Sequence, residues 1–189
     1  MSQAADAATF DTQLFDQTLS CDLVLPVAFE PGTEPAAAAQ AESLLLSLAQ
    51  VEDLRGEDAL DDKKESSAAM QRVDAKLDLI LALLGRLARQ SMRMPPPRAL
   101  RWSARGLRLE LPAASGIAPG TAGMAALQVS DWLPDRLELP ATVLGEAELA
   151  PRRHALWLAF PSLTAGLEEA LDRHLFRLHR RQIAESRRR

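Results

Sequence analysis

The sequence predicts an α+β protein: a small barrel or sandwich of short strands, closed by a C-terminal helix and interrupted by a helical hairpin. Three observations carry this. In the second half, Leu107, Leu109 and Leu111 alternate with Arg108 and Glu110, and similar short runs follow, broken by Gly and Pro. That is the pattern of several half-buried strands. Between Met70 and Leu87 the apolar residues instead recur at alternating steps of three and four, which keeps them on one side of a helix. From about Ser162, Leu163, Leu167, Leu171, Leu175 and Leu178 form one helical stripe.

In chain order, residues 1–17 read as a loose, flexible, polar leader. TLSCDLVLPVAF, from Thr18 to Phe29, is rich in Leu and Val and reads as a strand, with Pro26 marking an edge or a bulge. Glu30-Pro31-Gly32-Thr33 breaks it. Thr33 is placed to cap a helix and Pro35 to sit in its first turn, so a helix is expected over about 35–55. Its apolar face is Leu44, Leu45, Leu48 and Val51, and Gly56 is expected to end it. A charged link then leads into the heptad helix, about 58–94, which stops before Pro95-Pro96-Pro97. Beyond the strand at 107–111, the run AASGIAPGTAG reads as a loop. Strands around Met124–Ser130, Leu137–Ala147 and His154–Phe160 follow it, and the last helix frays into a basic tail at 184–189. Residues 33–94 thus read as a helical stretch between the strand of 18–32 and the strands and helix of 98–183, and the family resemblance given below implies that it is an insertion into one barrel.

The heptad seam holds Met70, Val73, Leu77, Ile80, Leu84 and Leu87, and Leu81 and Leu83 widen it. Leu77 and Leu84 in the first seam position, with Ile80 in the second, favour three or four strands over two. Burying each such side chain contributes about 1.5–3 kcal/mol, enough in sum to outweigh chain and association entropy. The same face could also cover another helix of its own chain, and spacing alone leaves both readings open. The short link between the helices favours an antiparallel hairpin within the chain. Both ends of the insertion return to the same barrel, which favours a parallel bundle between chains. A homotetramer is the expected assembly.

Composition limits the remaining classes. No apolar run approaches 18 residues, so no membrane span is expected, and the N-terminus lacks the basic start and apolar run of an export signal. With Cys21 as the one cysteine, no intrachain disulfide can form; a reducing, cytoplasmic setting is expected. The net charge of −4 hides an asymmetry. Residues 1–67 carry 3 basic and 14 acidic side chains, a balance of −11, and the rest carries +7. The first basic residue of the chain is Arg55.

The segments WSARGLRLELP, IAPGTAG, LELPATVLG, ALWLAF and LEEALDRHLFRLHRRQ occur in an order that resembles a PilZ domain. TLSCDLVLPVAF is similar to that family's first strand. The resemblance covers roughly residues 18–32 and 98–183. It implies a six-stranded barrel with a C-terminal helix, in a family whose members commonly bind cyclic di-GMP. A ligand-competent member needs an arginine-rich segment just before the first strand, whose guanidinium groups clamp phosphates and stack on guanine. It also needs an Asp or Asn, any residue, then Ser-x-x-Gly. Ser103 and Gly106 match the second motif, as a remnant expected not to bind. Arg101 stands where the acid or amide belongs, and QLFDQTLSCD has no basic residue at all, while Asp16 and Asp22 would repel phosphates. Cyclic di-GMP binding is therefore not expected. The alternative is a divergent receptor that draws on Arg98, Arg101 and Arg105, or on a neighbouring chain.

Other chemistry is sparse. His174 and His179 lie five residues apart, about 140° around a helix, and with His154 they read as solvated residues rather than metal ligands. Cys21 reads as a small core residue. Glu168 and Glu169 suit the first turns of a helix. Trp102, Trp132 and Trp157 read as barrel core or rim. Arg173, Arg177, Arg180, Arg181, Arg187, Arg188 and Arg189 could meet nucleic acid or acidic lipid, but cations near a helix C-terminus are favoured by its dipole anyway. Nucleic acid is not the expected partner. No catalytic residue, cofactor or metal is expected. The resemblance implies a non-enzymatic protein in bacterial motility, pilus function or virulence, one that self-assembles and contacts a protein partner the sequence does not identify.

Overall fold

The computed structural model describes residues 2–32, 37–61, 73, 75–77, 79–80, 83, 95–130, 135–161 and 163–187. The described residues include six strands: β1 (Ser20–Pro31), β2 (Pro97–Ser103), β3 (Gly106–Leu111), β4 (Ala122–Leu127), β5 (Leu137–Ala150) and β6 (Arg153–Ala159). Every pairing is antiparallel, and the order β1-β2-β3-β6-β5-β4 returns on itself. Three helices with described bounds accompany them, α1 (Ser2–Phe15), α2 (Ala37–Asp61) and α3 (Ala165–Ser186), and the described residues between 73 and 83 are helical as well.

β1 closes the ring because it serves two neighbours in turn. Its first half pairs with β2 as far as Pro26, opposite Pro97, and from Val27 onward it pairs with β4. Pro26 has no N–H to give a ladder, and it sits where one ladder hands over to the other; its carbonyl accepts from Gln128 N at 3.0 Å.

Strand alternation fills the interior. Along β5, buried and half-buried residues alternate from Leu137 to Ala147. Val27, Leu100, Trp102, Leu107, Leu109, Leu127, Leu139, Leu156 and Leu158 meet inside. α3 lays Leu167, Leu171 and Leu175 onto this core. Thr164 caps α3, its hydroxyl accepting from Leu167 N. α2 packs on α3 and β5 through Ala41, Leu45 and Leu48. Glu42 of α2 accepts a hydrogen bond from the Thr164 hydroxyl at 3.1 Å, which places a carboxylate at the positive end of α3.

Three expectations need correction. Residues 1–17 are not a loose leader: α1 packs across the outside of the ring, because Phe10, Leu14 and Phe15 share one helical face that buries against Ala155 and Trp157. Gly56 does not end α2, which runs on to Asp61; a helical glycine costs only about 1 kcal/mol. His174 is not solvated but buried at 3% exposure, because it falls on the core-facing side of α3. Thr33 and Pro35 lie outside the described residues.

Candidate functional site: the Ser103–Gly106 turn and the face under α1

Ser103-Ala104-Arg105-Gly106 makes the tight turn from β2 to β3. The Ser103 hydroxyl is fully buried, donates to the Leu14 carbonyl at 2.7 Å and accepts from Arg105 N at 3.1 Å. Gly106 is required sterically, since a Cβ there would run into the backbone carbonyl of Leu158 and the Leu14 side chain. Both remnant-motif residues thus shape a turn, and the end of α1 covers that turn.

The row beside it runs across five strands. Asp22 pairs with Arg101, Arg101 with Arg108, Arg108 with Trp157, and Trp157 with Gly145. α1 lies along this row. Phe15 takes the Arg101 guanidinium over its ring at 4.7 Å. Asp11 accepts from Arg108 Nη1 at 2.8 Å with one oxygen and from Trp157 Nε1 at 2.7 Å with the other. Phe10 lies 5.6 Å from Trp157 and fills the space that a side chain at Gly145 would need.

The arginines of the alternative receptor reading do not converge. Arg101 donates to the Ser20 hydroxyl through Nε and Nη2, and Arg105 donates to the Asp16 carbonyl at 3.2 Å. Arg98 lies near the far end of β2, and alternation puts it on the face of Leu100 and Trp102, opposite to Arg101. A groove of about 310 Å³ beside the row is lined by Asp22, Val24, Ala99, Arg101, Arg108 and Glu110, with both signs of charge represented.

The heptad stretch is described in part. Val73, Leu77, Ile80 and Leu83 are helical and half or more exposed, between 50% and 55%, as is Leu79 at 59%. Met70, Leu81, Leu84 and Leu87 lie outside the described residues. Among the described residues no group of three or more His, Cys, Asp or Glu could hold a metal ion, and no helix is long and apolar enough to cross a membrane.

Inside the ring, His174 packs against Trp102 at 5.6 Å. Its pKa is lowered to about 4, first by burial and then by the Arg181 and Arg177 charges. The Cys21 thiol is buried and its pKa raised, by burial and by the neighbouring Asp22. Trp102 and Trp157 are both buried, Trp102 in the ring and Trp157 beneath α1; Trp132 lies outside the described residues.

A sequence model for the family described as "Atypical PilZ domain, cyclic di-GMP receptor" matches residues 45–188. No curated protein matches the chain. Among solved structures, a pathogenic protein from Xanthomonas campestris is 51% identical, covering 95% of this chain and 98% of its own at a TM-score of 0.79. It is described as a tetrameric PilZ domain self-assembled via an unusual helical bundle. An inhibitor of motility from Bacillus subtilis is 19% identical over 47% of this chain and 42% of its own, at a TM-score of 0.37.

Proposed function

Since the chain belongs to the atypical PilZ domain family, we propose that it is a non-enzymatic member that self-assembles through its heptad helix and works by protein contacts. On this reading the assembly is a parallel bundle of four chains whose barrels present their outer faces in several copies. Multiplying a face in this way raises avidity without new contacts. The observation that carries the reading is the exposure of Val73, Leu77 and Ile80, helical leucine-like residues that nothing covers to more than about half in the single chain. The tetrameric helical bundle of the 51% identical Xanthomonas protein supports it. Bacterial motility, pilus function or virulence, in the cytoplasm, is the setting the family suggests.

The proposal also holds that this protein does not bind cyclic di-GMP. Its support is the turn: the Ser103 hydroxyl is spent on Leu14 and Arg105, and Arg101 and Arg105 are engaged by Ser20, Phe15 and Asp16. A divergent receptor, its arginines completed by a neighbouring chain, is the second reading.

Two measurements test this. Light scattering should give about four chains for the natural sequence and one chain for Leu77→Asp with Leu84→Asp, with the strand signal in circular dichroism retained. A single-chain mass for the natural sequence removes the assembly reading. Titration calorimetry with cyclic di-GMP at tens of micromolar protein should be flat. An exothermic isotherm abolished by Arg101→Ala establishes the receptor reading instead.

A further inference from the structure

We propose that the outer face of β2, β3, β6 and β5 is a docking surface for an acidic amphipathic helix of a partner protein, and that α1 occupies it as an exchangeable placeholder. The inference rests on the reading that this protein acts by protein contacts, and goes beyond it by naming a surface and the chemistry of what it accepts.

The face has the parts that such a helix requires. Trp157 offers both a ring and an indole N–H, Arg101 and Arg108 offer cations, and Gly145 leaves a seat for an aromatic side chain. α1 shows how these parts are read. Within one helical stripe it presents an aromatic at Phe10, a carboxylate at Asp11 between Trp157 and Arg108, and apolar residues at Leu14 and Phe15. The Ser2–Phe15 helix carries acids and no base, so its charge suits the two arginines.

Two observations show that α1 fits the face incompletely. Arg108 meets Asp11 through Nη1 alone, and its Nε is buried with no hydrogen-bond partner. Guanidinium binds carboxylate best as a two-pronged pair, so a helix whose carboxylate reached both nitrogens would hold the same face more strongly. The tether is also strained: α1 turns into β1 through Gln17, a non-glycine residue at φ 55°, in the left-handed region that side chains rarely adopt. Extending Gln17 relieves that strain and swings α1 off. α1 keeps its seat because a short tether makes its local concentration high, and a partner helix competes against that advantage.

The test uses the full chain and, as probe, a fluorescein-labelled synthetic peptide with the sequence of residues 2–16. In one variant a flexible Gly/Ser insert of about twelve residues after Gln17 lengthens the tether, lowering local concentration while leaving every contact residue in place. In the other, Phe10→Ala with Asp11→Ala loosens α1 directly. Fluorescence anisotropy should show the peptide binding both variants at least tenfold more tightly than the natural chain. A peptide carrying Asp11→Ala should bind at least tenfold more weakly than the natural peptide. Circular dichroism confirms that each variant is folded, and the long-tether variant carries the test if the double substitution unfolds. Equal weak binding to all three chains, or indifference to the peptide's Asp11, overturns the proposal. Light scattering on the same samples reports assembly separately, so a failure here is distinguishable from a failure of the tetramer.

Discussion

Removing the Ser103 hydroxyl leaves the Leu14 carbonyl without this partner in a buried place, and the Arg105 N–H without its turn acceptor. Such orphaned groups cost about 1–3 kcal/mol, so Ser103→Ala should lower unfolding free energy by about that much in denaturant titration. It should not alter any heat of mixing with cyclic di-GMP, because the hydroxyl already serves the turn. His174 gives a pH signature. The unfolded chain takes a proton on this imidazole below about pH 6.5, whereas the folded chain does so only near pH 4. Between those values the unfolded state binds more protons, so stability falls as pH falls, and the contribution is fully present above pH 6.5. The loss amounts to about 3 kcal/mol, and His174→Leu should remove it relative to the natural chain when both are unfolded at pH 7 and pH 4.5. An unchanged pH slope would mean that the imidazole is not held neutral.

At the scale of elements, what was legible followed from periodicity. β3 and β5 alternate so regularly that their inward residues can be named in advance, and the α3 stripe landed on the core at Leu167, Leu171 and Leu175. β2 is hidden from periodicity, since PRALRWS carries a proline and two arginines and owes its place to neighbours on both sides. α1 escapes the sequence pattern for a different reason. Its alanines and acids look like a polar leader, yet Ala7, Phe10, Leu14 and Phe15 recur at helical spacing and Asp11 lies among them. The signal is present but diluted by the alanines and polar residues around it, and its partner surface is not adjacent in sequence. The candidate site suffered accordingly: Ser103 and Gly106 could be found from their motif, but nothing local said that Leu14 would sit on them. The exposed leucines of the heptad helix raise an expectation of their own. If they meet other chains, the melting temperature should rise with protein concentration. Leu77→Asp should make it independent of concentration in a differential-scanning series.

For the molecule as a whole, the balance of −11 over residues 1–67 and +7 over the rest falls within one chain. Part of it is neutralised across the fold, where Asp11 meets Arg108. One feature of the ring governs the order in which this particle can be made. β1 is separated from β2 by the whole helical insertion, and the circle is completed only when β6 reaches β3 and β5. Pairings so distant along the chain are slow to form. During synthesis residues 58–94 leave the ribosome well before β6 exists. If the chains assemble through this stretch as proposed, nascent chains would join while every barrel is still open, and subunits made on one message would meet before subunits made on different ones. Cross-linking ribosome-bound chains halted after Ser130 should capture such pairs, and Leu77→Asp should abolish them; capture only after β6 has been synthesised would place barrel closure first.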